Sequence, residues 1–356
     1  MLVLCSHIST LFFRKEASKS IRVTAVKTTF FVETDVPAKN QWDEIDSDDE
    51  LKGVDRSEDS LHPDPIKPDE GLHISPRMSS SDILFNKYSC IKETMTKWEC
   101  SFFALEPYAT KFYIIEPAMV QTVVIMGGVH GNEKAGFTAA EILKSWPFVN
   151  GRVVVFDRVN AVGSAKAQRF IKLAIGGTWK TVDPNRLYPP DPVNEPLTGF
   201  GKEIWELMTL LKPNVFLDLH EGWGVYGKLI KKFGQVSHMV GSQKFSKGSS
   251  VIASENTKHV GQLMVNRVNR DIEDQDSHFP VLSPPIDGGL AKRLYNTYGT
   301  SSYVLETTSQ NQPLALRVQQ QLMLCATALH FHGFLIDDLG TIHVSCQSKN
   351  QCTMNP

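Results

Sequence analysis

The chain has 356 residues, of which 41% are hydrophobic and 21% are charged, and its formal net charge is −2. This composition is typical of a globular protein with one large domain or two small ones. The near-neutral charge gives no reason to expect a nucleic-acid partner, and no run of about 18 apolar residues predicts a membrane span.

Two N-terminal segments differ in composition from the rest of the chain. Residues 1–33 contain five basic residues and many serines and threonines, which suit either a possible targeting segment or an ordinary N-terminal extension. Residues 34–82 combine the acidic run DEIDSDDE with prolines and few apolar residues. This second segment is therefore predicted to be an acidic disordered linker.

From about residue 83 the pattern changes to alternating strands and helices. Strands are predicted at 101–104, 111–116, 122–126, 152–159, 215–219 and 302–306, and helices at 133–144, 201–211, 254–271 and 313–334. This alternation predicts an α/β fold, with a mixed, mostly parallel sheet flanked by helices on both faces. We expect this domain to span 83–340 and to be followed by a C-terminal tail at 341–356. Residues 161–200 are predicted to be a long loop, and so long a connection is usually functional.

The six cysteines are scattered, and no CxxC pair is present. Neither a thiolate zinc site nor the disulfide framework of a small secreted domain is therefore predicted. We expect reduced thiols and a cytoplasmic or organellar protein.

The stretch QTVVIMGGVHGNEKAG, at 121–136, organises the predicted domain. A buried strand turns on two glycines, presents His130 at its end, and continues through Glu133 into a helix. Such a unit places its loop at the carboxyl edge of a sheet, where open α/β sheets bind ligands. His220 ends the strand VFLDL in the same way, so two imidazoles and one carboxylate can meet there. This set suits one Zn²⁺ per chain, with water as the fourth ligand.

Two alternatives concern the strand that ends at His220. His220 is either a metal ligand or a core histidine paired with Asp218. If His220 is a ligand, Asp218 could orient its ring by contacting the nitrogen that does not bind the metal. Glu306 ends another strand, YVLE, and is the candidate general base. Glu221 competes for that role, but adjacent side chains of a strand face opposite ways, so Glu306 is preferred.

The predicted loop carries three further polar candidates. Asn185 and Arg186, in DPNRLYP, would suit the carboxylate of an anionic substrate, because a guanidinium binds a carboxylate in a bidentate manner. The alternative for Arg186 is an ion pair with a surface acid. Arg169 could stabilise an oxyanion next to the metal.

Five motifs, GGVHGNE, RF, DPNR, DLHE and ETT, occur in this order over roughly 120–333. Together they resemble the succinylglutamate desuccinylase/aspartoacylase branch of the M14 zinc carboxypeptidase-like family. The resemblance implies zinc ligands at His130, Glu133 and His220, with Glu306 activating zinc-bound water. It also implies that Arg169 polarises the scissile carbonyl and that Asn185 and Arg186 bind the substrate carboxylate.

Two departures from this family pattern affect the expected function. Arg169 lies 17 positions before Arg186, because the segment IKLAIGGTWKT is inserted between them. Only 50 residues follow Glu306, where the aspartoacylase-like enzymes carry a further β domain. We expect a zinc amidohydrolase of the N-acyl amino acid deacylase type, acting on a small carboxylate-bearing substrate. The alternatives are a metallocarboxypeptidase acting on peptide C-termini, an inactive zinc- or carboxylate-binding protein, and an adaptor that uses its acidic linker.

Overall fold

The computed structural model describes residues 80–105, 108–116, 121–175, 177–226, 248–337, 339–340, 342–348 and 351–355. The expected targeting segment at 1–33 and most of the expected linker at 34–82 lie outside these ranges. The first described helix already begins at Ser80. Within the described ranges, no helix combines the length and apolar character needed to cross a membrane.

The strands of the described chain form one large sheet and two hairpins. In chain order they are β1 Ser89–Thr94, β2 Lys97–Leu105, β3 Tyr108–Ile115, β4 Thr122–Gly127, β5 Arg152–Phe156, β6 Ile171–Ile175, β7 Thr178–Val182, β8 Val215–Gly222, β9 Ser250–Ala253, β10 Val281–Leu282, β11 Ser301–Thr308, β12 His343–Ser348 and β13 Gln351–Asn355. Nine of them make a sheet in the order β1-β2-β3-β5-β4-β8-β11-β9-β10, while β6–β7 and β12–β13 pair separately.

The large sheet is mixed, as the sequence predicts. Its centre is parallel, because β5, β4, β8 and β11 run in the same direction, and β9–β10 is a further parallel pair. The β1–β2–β3–β5 side and the β11–β9 pair are antiparallel. Parallel pairing thus makes up half of the sheet and is concentrated under the candidate site. The β1–β2–β3 part is antiparallel because these strands follow one another through short connections.

Helices cover both faces of this sheet, as predicted. They are α1 Ser80–Lys87, α2 Lys134–Leu143, α3 Ala161–Lys166, α4 Gly199–Leu211, α5 Lys258–Val268, α6 Leu290–Tyr298 and α7 Leu314–Phe331. Val123 and Ile125 share a buried cluster with α2, α5 and α7, whereas Val124 and Met126 share one with α1, α4 and α6. Successive side chains of a strand face opposite ways, so one apolar strand contributes to two cores.

About half of the segment predicted as a loop at 161–200 forms regular elements, and for that half the prediction is wrong. It contains α3 and the β6–β7 hairpin, which turns at Gly177 with a positive φ of 77°. Ile171 and Leu173 are buried while Lys172 is exposed. This two-residue alternation, which a half-buried strand shows, is present in the sequence as IKL.

The expectation of reduced thiols is contradicted as well. Cys90 is bonded to Cys100, and Cys346 to Cys352. In both cases the partners stand directly opposite each other in an antiparallel pair, so a short hairpin brings them together without a CxxC spacing. Among the described residues, Cys325 is a free thiol and is buried.

The second of these disulfides lies in the region expected to be a C-terminal tail. There, β12 and β13 form a hairpin, and Ile342 and Cys352 join the core that contains α2 and α7. Most of 341–356 is therefore part of the folded domain.

Candidate metal centre

A glycine allows close contact between the two elements that carry the candidate ligands. The loop after β4 holds His130 and Glu133, and α2 starts at the next residue. A Cβ atom on Gly136 would lie 2.3 Å from the carbonyl oxygen of Leu219. Because this position is glycine, α2 can cross directly over β8 one residue before His220. The crossing brings the start of α2 and the end of β8 together.

The three predicted ligands converge at this crossing. The Nδ1 atom of His130 lies 2.7 Å from one carboxylate oxygen of Glu133, and Nδ1 of His220 lies 2.8 Å from the other. The two Nδ1 atoms are 3.2 Å apart, and each of the three side chains is at most 5% exposed. Two nitrogens bound to tetrahedral zinc at about 2.0–2.1 Å would be separated by roughly 3.3 Å. The spacing of the two nitrogens therefore matches that of two ligands of one metal ion, and the three side chains form a group that could hold a metal.

Each imidazole also lies close to a second carboxylate, on its Nε2 side. Nε2 of His130 lies 2.8 Å from Asp183, and Nε2 of His220 lies 3.1 Å from Asp218. Such carboxylates fix the orientation of a ligating ring and raise its basicity. Asp218 makes its contact with His220 at ion-pair distance and not as a hydrogen bond. Asp183 was missed by sequence reasoning, although it is the first residue of the DPNR motif.

The charges around the site favour the ionised forms of Glu133, Asp183 and His220, so a metal ion bound here would have to displace the proton of His220. Burial opposes ionisation of Glu133, but His130 and His220 hold the pKa of its carboxyl well below the usual value. Burial likewise opposes the charge on Asp183, yet its hydrogen bond with His130 lowers its pKa. For His220, burial favours the neutral ring, but Asp218 and Glu133 raise its pKa well above the usual value. A cluster this rich in negative charge favours a cation at its centre.

Arg169 reaches the same centre in spite of the inserted segment. Its guanidinium donates to Glu133 at 2.8 Å and lies 3.9 Å from Asp183. The insertion forms the β6–β7 hairpin, in which Ile171 pairs with Val182. Since the hairpin closes on itself, the residues just outside its two ends, Arg169 and Asp183, remain neighbours. The longer spacing therefore leaves the site intact.

Glu306 stands directly beside the candidate metal centre. It is the register partner of His220 across the parallel strands β11 and β8, so both side chains lie on the same face. Burial raises the pKa of Glu306 to about 7, an effect that His220 partly offsets. Glu221 points away, as predicted. It accepts a hydrogen bond of 2.7 Å from the backbone N–H of Ala135 and pairs with Arg317.

The two predicted substrate-binding residues lie on the turn that follows Asp183. Asn185 is buried and Arg186 is exposed, and the Arg186 guanidinium donates to the Asn185 carbonyl at 2.7 Å. The structure thus places Arg186 at the surface, on the same turn as the carboxylate behind His130.

Gln321 of α7 contributes a contact that sequence reasoning did not find. Its fully buried amide nitrogen lies 2.7 Å from the carbonyl oxygen of His220 and 3.0 Å from that of Leu305. One side chain therefore ties β8 to β11 beside both His220 and Glu306. A glutamine within a helical pattern gives no signal of such a role in the sequence.

Comparisons with known proteins give structural similarities but no sequence match. No family model matches the chain, and no curated protein matches it significantly. Product-bound Csd4 of Helicobacter pylori is similar with a TM-score of 0.49 and 17% identity, covering 62% of this chain and 55% of Csd4. Another Csd4 structure, described as the mDAP-bound form of a D,L-carboxypeptidase, gives a TM-score of 0.47 and 18% identity, covering 60% of this chain and 51% of that one.

The similar structures also include a succinylglutamate desuccinylase/aspartoacylase from Rhodobacter sphaeroides. Its TM-score is 0.46, its identity is 15%, and the match covers 70% of each chain. The group that the motifs resemble is thus represented among the similar structures. At such identities and TM-scores, none of these similarities assigns an activity to this chain.

Proposed function

We propose that this chain is a zinc-dependent hydrolase that cleaves an amide bond in a small carboxylate-bearing substrate, in the manner of an N-acyl amino acid deacylase. One observation carries the proposal: His130, Glu133 and His220 direct their donor atoms to a single buried point, where both imidazoles are backed by carboxylates. His130, Glu133 and His220 would hold the metal. When bound, zinc acts as a Lewis acid that activates water and polarises a carbonyl.

The protein's own groups account for the remaining chemistry. Glu306 takes the proton of the attacking water and passes it to the departing amine, which requires its carboxyl to be ionised at the start of the cycle. Arg169 provides a cation beside the reacting carbonyl and stabilises the developing oxyanion. Arg186 and Asn185 bind the carboxylate of the leaving amino acid, and this contact fixes the orientation of the substrate.

The decisive experiment is a turnover screen of the purified full chain. The protein is loaded with Zn²⁺, its metal content is measured by mass spectrometry, and released amine is followed with N-acyl amino acids and short peptides. Release from N-acyl amino acids supports the deacylase, whereas release confined to C-terminal residues of peptides would make the chain a carboxypeptidase. Stoichiometric zinc without any turnover would identify a catalytically inactive zinc-binding protein and overturn the proposal.

A further inference from the structure

The β6–β7 hairpin has an exposed face that continues from the candidate metal centre. Asp183, which orients His130, follows β7 directly and keeps an extended backbone with φ −79° and ψ 117°. Alternate residues of an extended chain share a face, so Trp179 and Thr181 lie on the same side as Asp183. Over four residues, at about 3.3 Å each, this side extends about 13 Å from Asp183 to Trp179.

The side chains on this face are suited to bind a ligand. Trp179 is 77% exposed, which is unusual for so large an apolar side chain. Lys172 is exposed and stands opposite Thr181 in the hairpin register, so it shares the face with Trp179. The opposite face is different, because Ile171 and Leu173 are buried there in the core of the domain. The hairpin is therefore anchored by one face and presents a cation and an indole on the other.

The order of residues along the chain gives the direction of a bound substrate. In sequence, Asp183 follows the hairpin directly and precedes Asn185 and Arg186. If Arg186 binds the carboxylate of the leaving amino acid, the acyl side of the scissile amide faces the hairpin. A group attached to the acyl carbon would then run along Thr181 towards Trp179.

We propose that the β6–β7 hairpin is a specificity element, and that the preferred substrate has an elongated, peptide-like acyl part, which among the two reactions above favours release of the C-terminal residue of an N-acylated peptide. Its acyl part carries an acidic group that pairs with Lys172, followed by an apolar or aromatic group that packs on Trp179, about 13 Å along the strand from Asp183. The inference rests on the proposed hydrolase function and names the substrate class of that site. A short acyl group would contact the metal centre but would not reach Lys172 or Trp179.

Two probes and three hairpin variants test this assignment. The short probe is N-acetyl-L-glutamate, and the elongated probe is phenylacetyl-Glu-Gly-Glu, which places an acid and an aromatic ring at the required distances. Binding is measured by calorimetry on zinc-loaded protein carrying Glu306→Gln, so that it is read without turnover. Trp179→Ala and Lys172→Glu alter the exposed face. Lys180→Glu is the matched control, because Lys180 pairs with Leu173 and so belongs to the opposite face.

The elongated probe should bind more tightly than the short one. Trp179→Ala should weaken it about fivefold, and Lys172→Glu about threefold. Neither substitution should change binding of the short probe, and Lys180→Glu should change neither. The assignment is overturned if the elongated probe fails to bind, if its affinity is unaffected by Trp179→Ala and Lys172→Glu, or if both probes weaken equally.

The same variants separate failure of this inference from failure of the proposed reaction. If the wild-type protein hydrolyses the elongated probe but Trp179→Ala leaves its KM unchanged, the reaction stands and the specificity element is rejected. If no probe is hydrolysed but elongated binding still depends on Trp179 and Lys172, the hairpin assignment stands without the reaction.

Discussion

Glu306 faces His220 across two parallel strands, and the amide nitrogen of Gln321 donates to the carbonyl oxygens of His220 and Leu305. The candidate base is thus built into the sheet next to a candidate ligand, rather than placed on a loop. Such a base is positioned before substrate arrives, which is what efficient proton transfer requires.

Replacing Glu306 by Gln should abolish proton transfer without disturbing the metal centre. We expect kcat to fall about 10²- to 10⁴-fold, while zinc content and thermal stability stay close to those of the wild type. Glu255→Gln, at an exposed carboxylate, serves as the control and should keep full activity. Wild-type turnover in Glu306→Gln would remove Glu306 from the mechanism.

The acidic limb of the pH–rate profile should report the raised pKa of Glu306. Because burial raises the pKa of this carboxyl to about 7, the ionised base is lost as pH falls through 7. We expect kcat/KM to rise with pH across that region, measured from about pH 5 to about pH 9. An acidic limb centred near the ordinary glutamate pKa, about 4.3, would show that another group limits the rate.

Asp183→Asn should weaken metal binding, because it replaces the carboxylate behind His130 by a neutral amide. We expect zinc affinity to fall about 10- to 100-fold, measured by competition with a chelator, while circular dichroism is unchanged. Asp276→Asn, in an exposed turn, is the matched control. Equal zinc affinities in the two variants would rule out an orienting role for Asp183.

The disulfides predict a low thiol count in the unreduced protein. Cys90, Cys100, Cys346 and Cys352 should not react with a thiol reagent under denaturing conditions before reduction, whereas Cys325 should. Peptide mapping without reductant should find Cys90 linked to Cys100 and Cys346 linked to Cys352. Disulfides persist in oxidising compartments, so we propose that the chain functions in one. Six reactive thiols in freshly purified protein would contradict both the linkages and this location.

His332 should make stability depend on pH in a defined direction. The ring is hydrogen-bonded to Tyr303 at 2.9 Å, and burial, with a smaller effect of His259, lowers its pKa to about 4. The unfolded chain therefore binds a proton at a higher pH than the folded one. The stabilisation is complete above about pH 6.5 and is lost as pH falls towards 4.

A melting series across this range tests the effect of His332. The decrease in Tm between about pH 6.5 and about pH 4 should be smaller in His332→Gln than in the wild type. His343→Gln, at an exposed histidine, should follow the wild type. Parallel curves for the wild type and His332→Gln would exclude this histidine as a source of the pH dependence.

The centre of the fold could be predicted because its strands are almost continuously apolar. Strands β4, β5, β8 and β11 are recognisable as VVIM, VVVF, VFLDL and YVLE, and both candidate histidines follow from the ends of two of them. The shorter strands β9 and β10 have four and two residues, so their patterns are too brief to be distinguished from loops. Disulfide partners and the contact of Asp183 with His130 depend on tertiary proximity, which no spacing in the sequence expresses.

The closure of the β6–β7 hairpin at Ile171 and Val182 has a consequence for protein engineering. The pairing of β6 with β7 holds the two ends of the hairpin together. The length of the hairpin and the residues at its tip can therefore be changed without displacing Arg169 or Asp183. Hairpins of other lengths could be grafted between these two residues. A single scaffold would then yield a series of proteins that share one set of reacting groups and differ in what they recognise.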